Sequence, residues 1–141
     1  MKGSRRKARE DALQILYQLD VNQGLSATTG VNHFESFFSD QATDEFTQRL
    51  VAGVTNNLSD IDTSIEKISD HWRTGRMAVV DRNILRLGMY ELNFCDDVPA
   101  TVTINEMIEI AKEYGSESSA AFINGILDKA KTTLQRPSKA P

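Results

Sequence analysis

A single cysteine, Cys95, stands in the 141 residues, so no internal disulfide forms and no second thiol is at hand for a metal site. Cys95 reads as a small hydrophobe near a helix end. Histidine is nearly as scarce, and His33 and His71 lie in unrelated contexts without cysteines or carboxylates at ligand spacing. There is no glycine-rich phosphate loop and no serine nucleophile motif, and capping and solvent exposure explain Glu106 and Glu109. Catalysis has no visible home, so the chain reads as a non-enzyme with neither cofactor nor metal.

Long apolar runs are missing as well: nothing approaches the about 20 residues that a membrane span needs. The basic N-terminus leads into Asp11, Gln14 and Gln18, where a signal peptide requires a continuous apolar stretch. A cytoplasmic protein with no membrane role is expected. Of three prolines only Pro99 lies inside the body, so long helices run unbroken on both sides of it. Strand-like alternation is absent, with Val98 to Ile104 the only rival stretch.

What is present is ordinary in amount and uneven in placement. A hydrophobic share of 40% and a charged share of 26% suit a folded chain, and the length allows one core without staples. The formal net charge is −4, yet residues 1–9 carry Lys2, Arg5, Arg6, Lys7 and Arg9 and no acid. The remainder holds eleven cations against twenty acids, a net −9. A polyanion is therefore met at one end.

Helical spacing accounts for most of the chain. Ser4 is a candidate N-cap, Ala8, Ala12, Ile15, Leu16 and Leu19 form a stripe, and Gly24 offers a stop. Residues 24–43 read as a loop with one short helix around Val31, Phe34, Phe37 and Phe38. From Thr43, Phe46, Leu50, Val54 and Leu58 trace one face; after a break near Ser59-Asp60, Ile61, Ile65 and Ile68 trace another. A connection anchored by Trp72 leads to Met77, Val80, Ile84, Leu87 and Leu92. Beyond Pro99, Thr103 and Glu106 form a capping box for a helix with Ile104, Ile108 and Ala111 on its face, ended by Gly115. The last helix carries Phe122, Ile123, Ile126, Leu127, Ala130 and Leu134, with Ser118 or Ser119 as N-cap. The pattern predicts an all-α fold of about seven helices, with groups before and after residue 75 forming two packed subdomains. Residues 1–135 make one domain, and 136–141 a mobile tail.

The Arg5-Arg6-Lys7-Ala8-Arg9 run opens the first helix, where flexible cations reach several phosphates and stay disordered when unbound. Arginine suits the task because its guanidinium forks onto phosphate and stacks on bases. Cations at a helix N-terminus oppose the macrodipole at about 0.3–1 kcal/mol, so their placement calls for a compensating benefit; charge alone leaves nucleic acid binding and a solubilising tail as equal readings. Single-stranded RNA also calls for aromatic faces, and Tyr17 and Phe122 are the candidates, each with a core residue as its plainer reading.

Three stretches together resemble the NusB transcription antitermination factor family. They are Arg5-Arg6-Lys7-Ala8-Arg9-Glu10 leading to Gln14-Ile15-Leu16-Tyr17; Val80-Asp81-Arg82-Asn83-Ile84-Leu85-Arg86-Leu87-Gly88-Met89-Tyr90-Glu91-Leu92; and the run from Val98-Pro99 through Ile104-Asn105-Glu106, Ile110-Ala111-Lys112 and Tyr114-Gly115 to Phe122-Ile123-Asn124-Gly125-Ile126-Leu127-Asp128-Lys129. The resemblance implies two packed helical subdomains and a role in processive antitermination. It also implies single-stranded boxA-type RNA of ribosomal RNA operons as ligand and ribosomal protein NusE as partner. The target is an RNA polymerase elongation complex with other Nus factors.

By position, the resemblance makes Arg5, Arg6, Lys7 and Arg9 the basic RNA-binding arm and Tyr17 and Phe122 the aromatic contacts. Asp81 becomes an acidic position near RNA and NusE, able to accept hydrogen bonds from base amino groups. Ser118 and Ser119 fall in a loop that approaches RNA. Two residues depart from the pattern. Ala121 replaces a frequent Lys or Arg, removing one phosphate contact, and Met107 replaces a small residue, implying repacking or wider helix spacing. The alternative is the RNA-binding domain of an rRNA cytosine methyltransferase. A chain of 141 residues without a methyl-donor fold favours the antitermination factor, and the full reading frame decides.

Overall fold

The computed structural model describes residues 4–22, 28, 30–32 and 43–133. Helix α1 spans Ser4–Val21, α2 Glu45–Asn56, α3 Leu58–Ile68, α4 Val79–Phe94, α5 Ala100–Tyr114 and α6 Ser119–Thr132, with a 3-10 turn at Thr74–Arg76. Residues 30–32 are helical too, and no strand occurs among the described residues. The fold is all-α, as the spacing predicts. The Gly24 stop, the cluster of Phe34, Phe37 and Phe38, Leu134 and the tail at 136–141 lie outside the described residues.

The helices fall into two compact units, Met1–Asn56 and Asn57–Pro141. The division therefore comes at Asn57 and not near residue 75. Its cause is Ile61 and Ile65, both buried, which commit α3 to packing against α4 and α6. Leu58 begins α3 and is partly exposed, so it does not extend the α2 face.

In the first unit α1 packs on α2. Ala8, Ala12, Ile15 and Leu16 are buried on one side, and Phe46, Leu50, Val51 and Val54 on the other. A hydrogen bond crosses the seam: the buried Thr47 Oγ1 donates to the Ala8 carbonyl at 2.9 Å. Asp44 Oδ1 accepts from the Phe46 N–H at 2.7 Å, satisfying one of the donors that a helix start leaves open.

In the second unit α4 is the central element, packed by α3, α5 and α6. Ile84, Leu85, Leu87 and Leu92 of α4 are fully enclosed with Met107 and Ile110 of α5 and Ile123 and Leu127 of α6. The fit turns on Gly88, where a Cβ would come within 2.8 Å of Leu127 Cδ1 and 3.4 Å of Met107 Cγ. Met107 thus finds its room opposite a residue with no side chain, and Cys95 is buried just past the end of α4 as expected.

The expected capping box is corrected. Pro99 precedes α5, and Thr103 lies inside the helix, fully buried, with Oγ1 donating to Glu91 Oε1 at 3.1 Å. The hydroxyl turns inward because the enclosed Glu91 carboxylate needs donors more than the helix start does. On the other side of α4, Arg86 forks onto Asp62 of α3, with Nε and Nη2 each 2.8 Å from a carboxylate oxygen. Its Nη1 donates to Asn83 Oδ1 at 3.1 Å, and Asn83 Nδ2 donates to the Val79 carbonyl at 2.8 Å. Removing one member of such a network leaves the other charged and half-enclosed. Arg86→Ala is expected to lower stability by about 1.5–3 kcal/mol, the range for hydrogen bonds to charged groups, seen as a lower melting temperature. An unchanged melting temperature would show the clasp to be idle.

Candidate nucleic-acid interface

Arg5, Arg6, Lys7 and Arg9 belong to a formed helix and not to a disordered arm, since α1 begins at Ser4. Arg5 and Lys7 are exposed and Arg6 is half-buried, while Arg9, expected to reach phosphate with the others, is only 2% exposed. The reason is helical geometry, because residues four apart share a face. Arg5 and Arg9 both lie over the buried Phe46 ring, their Cζ atoms 3.9 and 5.3 Å from its centroid. Arg9 therefore shapes the site from beneath. Lys7 pairs with Asp11 at 2.7 Å, a surface ion pair worth about 0–1 kcal/mol and readily exchanged for a phosphate.

Packing of α2 brings a further cation to this surface. Arg49 is exposed and its Cζ lies 5.9 Å from the same ring centroid. The sequence reading missed it, although the only available signal, its position three residues after Phe46, follows from helical spacing. Tyr17 lies two turns beyond Arg9 on α1 and is exposed, off the buried stripe.

In the second unit the structure brings Asp81 and Ser119 together. Ser119 Oγ donates to Asp81 Oδ1 at 2.6 Å and accepts from the Ser116 N–H at 2.8 Å. Ser119 is buried, so its expected approach to RNA is corrected to a positioning role, and one Asp81 oxygen is already engaged. Gly115 ends α5 in an extended conformation, and its lack of a side chain is required by space alone: a Cβ there would lie 2.5 Å from Ser119 Oγ. Ser118, just before α6, is exposed, as is Ala121.

Phe122 is half-buried, at the edge of the core, and its ring meets Trp72 edge-on with centroids 5.1 Å apart and planes at 61°. Trp72 is no buried anchor, being 50% exposed. Its segment is nevertheless held firmly. The Thr74 N–H and Oγ1 donate to Glu66 Oε2 at 2.9 and 3.1 Å, and Ser69 Oγ donates to the Trp72 carbonyl at 3.2 Å. Asp70 and His71 both adopt positive φ, 57° and 67°. The Thr74 backbone bond, helped by the Thr74 hydroxyl and Arg73, holds the Glu66 carboxyl below its ordinary 4.5 despite some desolvation.

Among the described residues no cluster of His, Cys, Asp or Glu is arranged to hold a metal, and no helix is long and apolar enough to cross a membrane. The NusB family model matches residues 6–132. A transcription antitermination protein NusB from Geobacter sulfurreducens is 49% identical over 133 residues, covering 94% of this chain and 96% of that protein. The solved structure of T. maritima NusB superposes with a TM-score of 0.83 at 37% identity, over 96% of each chain. Antitermination factors NusB and NusE solved in complex with double-stranded RNA give a TM-score of 0.81 at 26% identity, over 94% of this chain and 98% of that one.

Two outcomes follow from this geometry. Ser119→Ala should cost about 1–3 kcal/mol of stability by removing the partner of the half-buried Asp81 carboxylate and of the Ser116 N–H, whereas Ser118→Ala should stay within about 0.5 kcal/mol; equal melting temperatures for the two variants would contradict the positioning role. Because Glu66 titrates below its ordinary 4.5, its bonds to Thr74 persist as pH falls to that value and are lost only further down. In a His71→Asn background, which removes the imidazole next to the indole, fluorescence of Trp72 should stay constant from neutral pH to that point and change below it; a change centred above 4.5 would rule Glu66 out as the clamp.

Proposed function

The chain belongs to the NusB family, and on that premise we propose that it is a transcription antitermination factor that binds single-stranded boxA-type RNA in nascent ribosomal RNA transcripts, together with ribosomal protein NusE. The observation that carries the reading is the charge distribution. Five cations in residues 1–9 face a remainder of −9, and α1 presents Arg5 and Lys7 to solvent with Arg49 of α2 beside them. Such a cluster recovers counterion-release energy from a phosphate backbone, and an acidic remainder repels RNA elsewhere.

The role is binding and not catalysis; among the described residues the buried Glu91 carboxylate and the Thr47, Thr103 and Ser119 hydroxyls are spent on packing. Arg5, Arg6 and Lys7 contact phosphate, with Arg9 beneath them, and Tyr17 and Phe122 offer faces to unpaired bases. Ser118 stands exposed beside Phe122, and Asp81 orients the α6 start through Ser119. An RNA polymerase elongation complex with other Nus factors is the assembly in which the protein acts, in the cytoplasm. The rRNA cytosine methyltransferase reading is not favoured, since the match to antitermination proteins spans nearly the full length of both chains.

The experiment is a salt series of RNA titrations on the triple variant Arg5→Ala, Arg6→Ala, Lys7→Ala. Each lost contact should remove about 0.7 units from the slope of log affinity against log salt for a single strand, with melting temperature nearly unchanged. An identical slope for variant and parent would place the electrostatic site elsewhere. Running the same series on single- and double-stranded boxA RNA tests the strand preference, and tighter binding of the duplex would overturn it.

A further inference from the structure

We infer that Trp72 is a base-contacting residue of the RNA site, its exposed indole stacking on an unpaired base next to the one taken by Phe122. The inference rests on the RNA-binding reading above and extends it to a segment, residues 69–76, to which neither the aromatic candidates nor the basic arm belong.

Three observations carry it. The first is exposure: a tryptophan with half its surface in water forgoes much of the largest apolar burial any side chain offers. The second is that this exposure is built. Two consecutive non-glycine residues, Asp70 and His71, adopt the left-handed region, a conformation that persists only where the surroundings impose it. Here they are imposed by the His71 N–H on the Glu66 carbonyl at 2.6 Å, the Trp72 N–H on the Ser69 carbonyl at 3.2 Å, and the Glu66 carboxylate on Thr74. A backbone fixed by that many bonds, with the ring edge-on against Phe122, restricts where the indole is presented before any ligand arrives, which saves ordering entropy on binding.

The third observation is the neighbourhood. Residues 69–76 hold Arg73 and Arg76, both exposed, against the single acid Asp70, in a body that is otherwise acidic. An exposed π-face with two exposed arginines within four residues of it in the chain has the composition of a single-stranded nucleic acid platform, in which rings take bases and cations take phosphates. A protein partner would call for contiguous apolar surface around the indole, and its sequence neighbours are instead His71, Arg73, Gly75 and Arg76. Edge-on contact with Phe122 at 5.1 Å brings the two rings close enough to serve adjacent bases.

Trp72 is the only tryptophan, so its emission reports on this one position. The full chain is titrated with a single-stranded boxA RNA oligonucleotide, with and without NusE, and the signal is taken as the difference from a parallel titration of Trp72→Phe. Saturable quenching with the midpoint of RNA binding is expected. Trp72→Leu, which keeps apolar bulk against Phe122 but no π-face, should weaken RNA affinity about 5- to 150-fold, and Trp72→Phe should retain most of it. Unchanged emission at saturating RNA, or parent-like affinity for Trp72→Leu, overturns the inference. Quenching by NusE in the absence of RNA assigns the face to the protein partner and overturns it equally. Where Trp72→Leu melts early, the quenching and the Trp72→Phe affinity decide. A salt-slope change in the arm variant without any Trp72 effect removes the stacking role alone, whereas a parent that fails to bind RNA removes both readings.

Discussion

The beginning of α6 is held to the beginning of α4 by one short hydrogen bond, Ser119 Oγ to Asp81 Oδ1, and much of the second unit's working surface follows from it. A buried hydroxyl has to be satisfied as donor and as acceptor, and Ser119 achieves both by taking the Ser116 N–H as well. That closeness is what excludes any side chain at Gly115. Asp81 stands in the first turn of α4, where the helix dipole favours an acidic residue. With the helix start fixed, Phe122 comes one turn later at a set rotation and meets Trp72.

Electrostatics divides the molecule in a different way. The cations of α1 sit where the macrodipole disfavours them, and three guanidinium groups gather around the single ring of Phe46. The ring's negative face offsets part of their mutual repulsion. Under the proposed function a phosphate backbone relieves the rest, and the acidic remainder offers a basic partner protein a surface to meet. The two features together suit a protein that holds RNA by one end while a second chain completes the grip.

Periodicity made the helices of the second unit legible, because Ile84, Leu87 and Leu92 or Ile123, Ile126 and Leu127 define a buried face from local spacing alone. Pro99 marked the entry to α5 for an equally local reason, its fixed backbone angle. What escaped was set by partners distant in sequence. Thr103 reads as a cap until Glu91 is found beneath it, and Arg9 reads as a phosphate ligand until Phe46 covers it. Ser119 reads as a loop contact until Asp81 claims its hydroxyl. Trp72 lies in a connection, as spacing predicts, but half-exposed, because exposure of an aromatic depends on three-dimensional neighbours that spacing does not encode.

The account stands or falls on joint recognition of RNA with a basic partner. RNA affinity measured for the protein alone and at saturating NusE addresses that claim directly, since a partner that enlarges the binding surface must raise affinity for RNA by the same factor that RNA raises affinity for the partner. The account predicts tighter RNA binding with NusE and a matching gain in NusE binding with RNA. Equal RNA affinities with and without NusE would contradict it.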